Sequence, residues 1–464
     1  MTTSATPAEA STANLEGLIQ KAGDPVTLLR SNQIGPWVFP GIPPEFTNWR
    51  DEQRSWKESV ALLELSYHMP EVHLRGREVI PFLSGIAANK FDPFQVRRAK
   101  QLVLVGHDGY SISDAILFRE EEEFFRFVGS PAALDWVHFN AEGTAFDVSA
   151  ERHHDWNVRR GPRDVFRIQL QGPNALPLLR EVCNGTLPEI KFFFIGELQI
   201  AGKAVRALRH GMAGTPGFEI YGPWDDQQAV REALERAGEK YGLRKIGELA
   251  YGPTAQESGW MPFPVPAIYH SAEMKPYREW LPAYHILSIA SLGGSFVSKD
   301  ISDYYIDPFE LGFEPQIDFN HDFVGRGALL EKSKAPRRKK VTLVWNEDDV
   351  MDVQRMALFP GEDLPARYIN TPHTTYSTYV SDTVLKDGAR AGVSMQGSYS
   401  ANARSYISTA LVDVAHSTPG TQVTLLWGEP DSKRRSVEKH QVREIRATVA
   451  PAPFFDKIIK TGQQ

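Results

Sequence analysis

Cysteine is nearly absent from this chain, since Cys183 is the single one among 464 residues. A disulfide framework, and a zinc or iron–sulfur site built from cysteines of one chain, are therefore excluded. The sequence also lacks any uninterrupted apolar stretch of ~18 residues, so no membrane-spanning helix is predicted. The first residues contain neither the basic nor the apolar segment of a secretion signal. We therefore expect a cytoplasmic protein.

An excess of positive charge is missing as well. The chain has 51 Lys and Arg against 58 Asp and Glu, which gives a formal net charge of −7. Such a chain has no bulk attraction for nucleic acid or anionic lipid. Its 42% hydrophobic and 23% charged residues are typical of a folded globular protein. The composition favours a protein that acts on small molecules, without nucleic-acid or membrane partners.

Several common catalytic motifs are also absent. The sequence has no H-E-x-x-H, no G-x-x-x-x-G-K-[ST], no G-x-S-x-G and no G-x-G-x-x-G that opens a helix. His153 and His154 are adjacent, and adjacent side chains on a strand or helix point in different directions. We therefore predict that they do not share a metal ion, and that the protein has no metal site.

Short strand patterns alternate irregularly with helical patterns from about residue 56 to 330. Strands are predicted at 71–76, 101–106, 115–120, 123–129, 166–172 and 198–210. A helix is predicted within 224–242, where one face carries Ala229, Val230, Ala233, Leu234 and Ala237. The irregular order favours an α+β fold of antiparallel sheets with helices over a doubly wound parallel sheet.

The composition changes at the basic, proline-broken run KSKAPRRKK, residues 332–340. We interpret it as a solvated linker rather than a nucleic-acid patch, because Glu347, Asp348 and Asp349 follow closely. Beyond it, short strands with Gly and Pro turns predict a small antiparallel β-barrel or sandwich. The expected division is a tail and lead-in at 1–30, a main region of two subdomains at 31–335, and a C-terminal β-barrel at 336–464.

Four segments occur in the order found in the aminomethyltransferase (glycine-cleavage T-protein) family, which they resemble. They are ALLELSYHMPEVHLRG (61–76), RIQLQGPNA (167–175), LRHGMAGTPGFEIYGP (208–223) and LAYGPTAQESGWMP (249–262). The resemblance implies T-protein-like domains that bind tetrahydrofolate, followed by the C-terminal barrel.

Two further segments are similar to the tetrahydrofolate-dependent aryl-methyl-ether O-demethylases of lignin-derived aromatic acids. They are SNQIGPWVFPGIPPEFTNWRDEQRSW (31–56) and GGSFVSKDISDYYIDPFELGF (293–313). This resemblance implies an enzyme that passes a methoxyl methyl group from vanillate, syringate or 3-O-methylgallate to N5 of tetrahydrofolate. The products are a phenol and 5-methyl-tetrahydrofolate. The substrate is then a small aromatic acid, and the oligomeric state stays open.

The resemblance also implies a set of cofactor-binding residues. Glu219 occupies the position of the family's pterin-binding glutamate, and a carboxylate can accept two parallel N–H bonds. Trp260 resembles a folate-stacking residue, although tryptophan is also common in cores. Gln169 and Gln171 share a strand face from which both amides could meet a pterin. Asp114 matches the second aspartate of the T-protein pair.

Catalysis and substrate binding are assigned in the same way. Because phenolate is a poor leaving group, a proton or hydrogen-bond donor near the ether oxygen is needed, and Tyr251 matches the demethylases' tyrosine there. Trp37, Phe39, Tyr67 and His68 fall in segments that line the relatives' substrate pocket, with core packing as the alternative role of each.

Ser130 follows the strand after which vanillate-type relatives have an arginine. Its small side chain leaves room for a second methoxyl group, which favours syringate over vanillate.

Two other functions remain open from the sequence. One is an aminomethyltransferase, or another folate-linked demethylase of an amine or sulfonium; Ser113 in place of the first aspartate of the T-protein pair argues against it. The other is a non-enzymatic folate-binding scaffold with a cysteine motif, which Cys183 in EVCNG does not match.

Overall fold

The computed structural model describes residues 13–334 and 337–456. The α-helices are α1 Leu15–Ala22, α2 Pro25–Ser31, α3 Trp49–Glu58, α4 Val79–Ile86, α5 Pro131–Ala141, α6 Ala175–Val182, α7 Gln227–Gly238, α8 Glu248–Tyr251, α9 Pro253–Ser258, α10 Lys275–Trp280, α11 Ile286–Ile289, α12 Arg326–Lys332 and α13 Glu347–Leu358. Short 3-10 helices lie at Trp224–Asp226, Glu239–Tyr241, Ile301–Tyr304, Glu314–Gln316 and Val414–His416. Within the described ranges, no helix is long and apolar enough to cross a membrane.

The strands are β1 Val60–Glu64, β2 Glu71–Arg75, β3 Arg98–Val105, β4 Ser111–Arg119, β5 Phe124–Gly129, β6 Ser149–His153, β7 Val165–Gln171, β8 Ile195–Ile200, β9 Lys203–Arg209, β10 Gly217–Pro223, β11 Leu243–Lys245, β12 Leu292–Gly293, β13 Arg338–Trp345, β14 Tyr379–Val380, β15 Asp382–Lys386, β16 Ala389–Ser400, β17 Ser405–Asp413, β18 Gln422–Trp427 and β19 Arg443–Ala450.

Two sheets form the main region. The first has the order β11-β1-β7-β10-β9-β8, in which β1 and β11 are parallel and the other pairs are antiparallel. The second, β3-β4-β5-β2-β6, is antiparallel throughout. The predicted α+β class of antiparallel sheets with helices is confirmed.

One predicted strand is wrong in detail. Residues 198–210 form parts of two strands, β8 and β9, which pair as a hairpin. The chain reverses at Ala201 and Gly202, whose φ angles are 53° and 74°. The buried positions change from Leu198 and Ile200 to Val205 and Ala207, so the alternation shifts by one residue across this turn. That shift and Gly202 are the signals that the single-strand prediction missed.

The lead-in before residue 31 is helical. Asn14 caps α1 by accepting a bond from the Gly17 amide at 2.9 Å, and Asp24 caps α2 through the Thr27 amide at 2.8 Å. Leu15 is fully buried in the main core. The expected N-terminal tail lies largely outside the described residues, as does the expected domain boundary at residue 335.

The C-terminal region is a closed barrel with the order β13-β17-β16-β15-β18-β19, which closes where β13 pairs with β19. Trp345 and Trp427 fill its interior with their rings 5.5 Å apart. Of the two alternatives drawn from the sequence, the barrel is confirmed.

A buried carboxylate joins the barrel to the main region. Glu257 on α9 accepts bonds from the Trp56 indole at 2.9 Å, the Ser400 hydroxyl at 2.6 Å and the Asn402 amide at 3.1 Å. Burial raises the pKa of this carboxyl group. The helix that follows Tyr251 is therefore held against β16 by hydrogen bonds as well as by packing.

Candidate active site

A cavity of about 620 Å³ lies between the two sheets and the barrel. Eight of the eleven predicted site residues line it: Trp37, Phe39, His68, Asp114, Ser130, Glu219, Tyr251 and Trp260. The fold thus gathers residues that are up to 223 positions apart in the sequence, the separation of Trp37 and Trp260.

Tyr251 and His68 form a buried polar pair in the cavity wall. The Tyr251 hydroxyl lies 3.2 Å from His68 Nε2 and 3.8 Å from the Met212 sulfur. Phe39 packs against both rings, at centroid distances of 4.7 Å to Tyr251 and 5.0 Å to His68. Tyr251 ends α8, a short helix, rather than a strand.

Burial controls the ionisation of this pair. It raises the pKa of Tyr251, and the negative charge of Glu219 raises it further, so the phenol is neutral. Burial and the positive charge of Arg163 lower the pKa of His68 to about 3. His68 Nδ1 has no hydrogen-bond partner among the described residues. The pair therefore offers neutral donors to a ligand, with one ring nitrogen still free.

Glu219 lies on β10, and its carboxylate forms an ion pair with Arg167 on β7. Arg167 also donates to Glu71 Oε1 at 2.8 Å. Burial lowers the pKa of the guanidinium, but the negative charges of Glu71 and Glu219 outweigh this effect and leave the pKa raised. The ion pair uses Glu219 Oε1. Glu219 Oε2 lies outside this contact with Arg167, and it is the candidate acceptor for a ligand.

Gln169 and Gln171 hold the loop between β9 and β10 and do not line the cavity themselves. Gln169 Nε2 donates to the His210 carbonyl at 2.9 Å, and Gln171 Oε1 accepts from the Met212 amide at 3.0 Å. Gly211 permits this packing, since a Cβ there would lie 2.2 Å from the Thr215 carbonyl oxygen. Gln169 Oε1 is buried and has no partner among the described residues.

Asp114 and Trp260 both line the cavity and interact with each other. Burial raises the pKa of Asp114, and hydrogen bonds from Gln101 and Trp260 offset part of this effect. The Gln101 amide donates to Asp114 Oδ2 at 2.8 Å. The carboxyl group is therefore held in place by two side chains, one of them the predicted stacking tryptophan.

The predicted substrate residues separate into two groups. Trp37, Phe263 and Ser130 line the cavity. The Trp37 ring stacks on that of Phe263 at a centroid distance of 5.9 Å. The Ser130 hydroxyl lies 2.7 Å from the hydroxyl of Ser113, which lies behind it. Tyr67 does not line the cavity. Its ring packs 4.2 Å from that of Trp156, on the other side of the strand end.

Several cavity residues were missed by sequence reasoning. The barrel region contributes neutral polar groups from the 370–378 segment and β16: Asn370, Thr371, His373, Thr375, Thr378 and Gln396. His373 Nε2 lies 3.0 Å from the Glu248 carbonyl at the start of α8. These residues carry no motif that would have identified them. Among the described residues that line the cavity, none is a lysine or arginine.

Arg167, by contrast, could have been found. It lies two and four positions before Gln169 and Gln171, so the alternation already used for the glutamines places it on the same face of β7. Gln169 is directly opposite Glu219 in the β7–β10 register. A basic residue on that face was therefore a candidate partner for Glu219.

Comparison with known proteins agrees with this architecture. Residues 32–263 match the family model described as the GCVT N-terminal domain. The chain is 39% identical to a syringate O-demethylase of Sphingobium sp. over 97% of both chains. It is 30% identical to a sesamin methylene transferase of Sinomonas sp., over 90% of this chain and 91% of the relative.

A solved structure shows the same fold. The glycine cleavage system aminomethyltransferase T from Bartonella henselae superimposes with a TM-score of 0.61 at 18% identity, over 96% of this chain and 97% of that one. The expected T-protein-like fold is confirmed. The chain belongs to the GCVT family of aminomethyltransferase-related proteins.

Proposed function

We propose that this protein transfers the methoxyl methyl group of a lignin-derived methoxybenzoate to N5 of tetrahydrofolate. The products are a phenol and 5-methyl-tetrahydrofolate. The observation that carries the proposal is the neutral, buried Tyr251 hydroxyl, which lies 3.2 Å from His68 in a cavity that also contains the Glu219 carboxylate. The 39% identity to a syringate O-demethylase supports it.

The cavity has the groups that a reduced pterin requires. We assign Glu219 Oε2, the oxygen outside the Arg167 contact, to accept an N–H bond from the pterin. The Trp260 indole lines the same cavity, where it can stack on a flat ring. Gln169 Oε1 lacks a partner in the described part of the chain and lies beside the loop that carries Gly211 and Gly214. We assign Gln171 to positioning this loop. Tetrahydrofolate would supply the nucleophilic nitrogen that accepts the methyl group.

Tyr251 serves the leaving group. As the bond between methyl carbon and ether oxygen breaks, negative charge develops on that oxygen, and the Tyr251 O–H donates to it. His68 Nε2–H can donate to the Tyr251 oxygen in turn, which orients the phenol. Overall the methyl group moves from oxygen to nitrogen and one proton moves from nitrogen to oxygen, so atoms and charge balance.

The wall around Trp37 and Phe39 provides an aromatic slot for the substrate ring. Ser130 is bonded to Ser113 and fills little space, which leaves room for the second methoxyl group of syringate. Because no cation is present among the described lining residues, the neutral donors of the barrel region are the groups available to a carboxylate. Thr371 and Asn370 are examples.

The absence of lysine and arginine from the described lining residues also favours a second candidate function, the cleavage of an uncharged aryl ether. A cavity without these cations among its described lining residues offers an anion no charged partner. The 30% identical relative is named a sesamin methylene transferase, so its named substrate is not a methoxybenzoate.

One experiment tests both candidates. Purified protein and tetrahydrofolate are mixed with syringate, vanillate, 3-O-methylgallate or 2,6-dimethoxyphenol, which is syringate without its carboxylate. We expect 5-methyl-tetrahydrofolate by chromatography, with the highest kcat/KM for syringate. A higher kcat/KM for 2,6-dimethoxyphenol would support the second candidate, and no product from any of the four would refute the methyl-transfer proposal.

A further inference from the structure

Two histidines and an aspartate converge at the edge of the five-stranded sheet, outside the cavity of Tyr251. His73 lies on β2 and His153 on β6, and these strands pair with Glu71 opposite His153 and His73 opposite Glu151. Residues directly opposite in an antiparallel pair share a face, so both imidazoles project from one face of the sheet. Their ring centroids are 4.0 Å apart.

Asp164, just before β7, brings a carboxylate to both rings. Its Oδ2 lies 3.9 Å from His73 Nδ1 and 3.6 Å from His153 Nδ1. These distances are too long for hydrogen bonds. With metal–ligand bonds of about 2.0–2.2 Å, neighbouring ligand atoms of a tetrahedral ion are roughly 3.4 Å apart. The Asp164 side chain is 62% exposed, so its carboxylate can move closer to both rings and reach this spacing.

His73 Nε2 has two charged neighbours. It lies 2.9 Å from Glu71 Oε2, and Arg126 Nη1 donates to the same Glu71 oxygen at 2.6 Å and lies 2.6 Å from His73 Nε2. A metal ion on Nδ1 requires the tautomer whose Nε2–H is directed at Glu71. Because a guanidinium only donates, Arg126 Nη1 must then bond to Glu71 alone.

Carboxylates lie on both sides of the His153 ring. Its Nδ1 faces Asp164 Oδ2 at 3.6 Å. His153 Nε2 lies 3.5 Å from a Glu151 oxygen. The carboxylates around the pair supply negative charge that compensates a cation.

We propose that His73, His153 and Asp164 bind a divalent metal ion of the zinc class. Two imidazole nitrogens and one carboxylate oxygen are a donor set that this class accepts, and a fourth position is left for water. Asp164 is the most exposed of the three residues, so an ion can reach the cluster from its side. From the sequence we expected no metal, because His153 was paired only with its neighbour His154, whereas His73 lies on another strand.

The test uses the untagged full chain, treated with a chelator and then titrated with Zn²⁺ alone by calorimetry. Co²⁺ is titrated in parallel, because its visible absorption reports tetrahedral coordination by nitrogen and oxygen. We expect one equivalent of each metal to bind. His153→Ala and Asp164→Asn should weaken binding at least ~100-fold, the upper range found for loss of an outer-shell partner.

His154→Ala is the matched control, because His154 is the adjacent residue but follows the end of β6 and is not part of the His73, His153 and Asp164 cluster. It should bind metal as the wild type does, and zinc should raise Tm for the wild type and His154→Ala alone. If His153→Ala does not fold, Asp164→Asn tests the proposal by itself, because the exposed Asp164 can be replaced without disturbing the core. Absence of stoichiometric binding by the wild type, or equal binding by Asp164→Asn, would overturn the proposal.

Discussion

The Tyr251→Phe substitution isolates the hydroxyl that we place at the ether oxygen. Phenylalanine keeps the ring packing against Phe39 and removes only the donor and its contact with His68. A hydrogen bond to a charged acceptor contributes about 1.5–3 kcal/mol. At about 1.36 kcal/mol per tenfold change in rate, kcat should fall roughly 10- to 150-fold.

The loss should appear in kcat rather than KM, because charge on the ether oxygen develops only as the bond breaks. The assay follows 5-methyl-tetrahydrofolate at saturating concentrations of both substrates. Tyr399→Phe is the matched control, because Tyr399 packs against the same apolar cluster as Tyr251 but does not line the cavity. Its kcat should equal that of the wild type.

The leaving group provides a sharper version of this experiment. A methoxybenzoate with an electron-withdrawing substituent releases a more stable phenolate, so it depends less on a donor. The ratio of wild-type to Tyr251→Phe kcat should therefore shrink as the phenol becomes more acidic. An unchanged kcat in Tyr251→Phe, or a ratio independent of phenol acidity, would refute the donor role.

Three further substitutions test other parts of the structure. Glu219→Gln should weaken tetrahydrofolate binding by about 1.5–3 kcal/mol in a fluorescence titration, and unaltered affinity would remove Glu219 from the site. Gly252→Ala places a Cβ 1.7 Å from His373 Cε1, so Tm should fall by an amount equivalent to about 1–3 kcal/mol. Gly327→Ala, with no atom within 4 Å of its Cβ, is the control and should not lower Tm. Burial raises the pKa of Asp382 to about 7, so the folded protein keeps a proton that the unfolded chain releases above about pH 4. Stability should therefore fall as pH rises from about 4 to 7, and Asp382→Asn should remove up to about 4 kcal/mol of this loss. Denaturant unfolding at pH 5 and pH 8 measures it, and an equal effect at both pH values would contradict the assignment.

Much of the fold followed from local pattern. Strands β2, β4, β5 and β7 are visible in the sequence as short runs rich in apolar residues, and they are buried along nearly their whole length. The barrel strands are visible because Gly and Pro turns separate them. The β8–β9 hairpin was missed although the apolar alternation changes phase at Ala201 and Gly202, because both strands are short and apolar residues continue on each side of the turn.

The site was predictable where a residue lies in a recognisable segment. Glu219, Trp260 and Tyr251 belong to such segments, and the fold brings them to one cavity. Tyr67 shows the limit of this reasoning, because adjacent residues point in different directions and its neighbour His68 occupies the wall instead. The barrel's contribution depends on long-range packing of the 370–378 segment, which no local pattern encodes.

Carbon labelling tests the central claim most directly. Syringate carrying ¹³C in its methoxyl groups is incubated with the protein and tetrahydrofolate, and the folate product is analysed by NMR. The account predicts that the label appears on the N5 methyl group in equal amount to the phenol formed. Phenol formed with the label in formaldehyde or methanol, or no phenol at all, would contradict it.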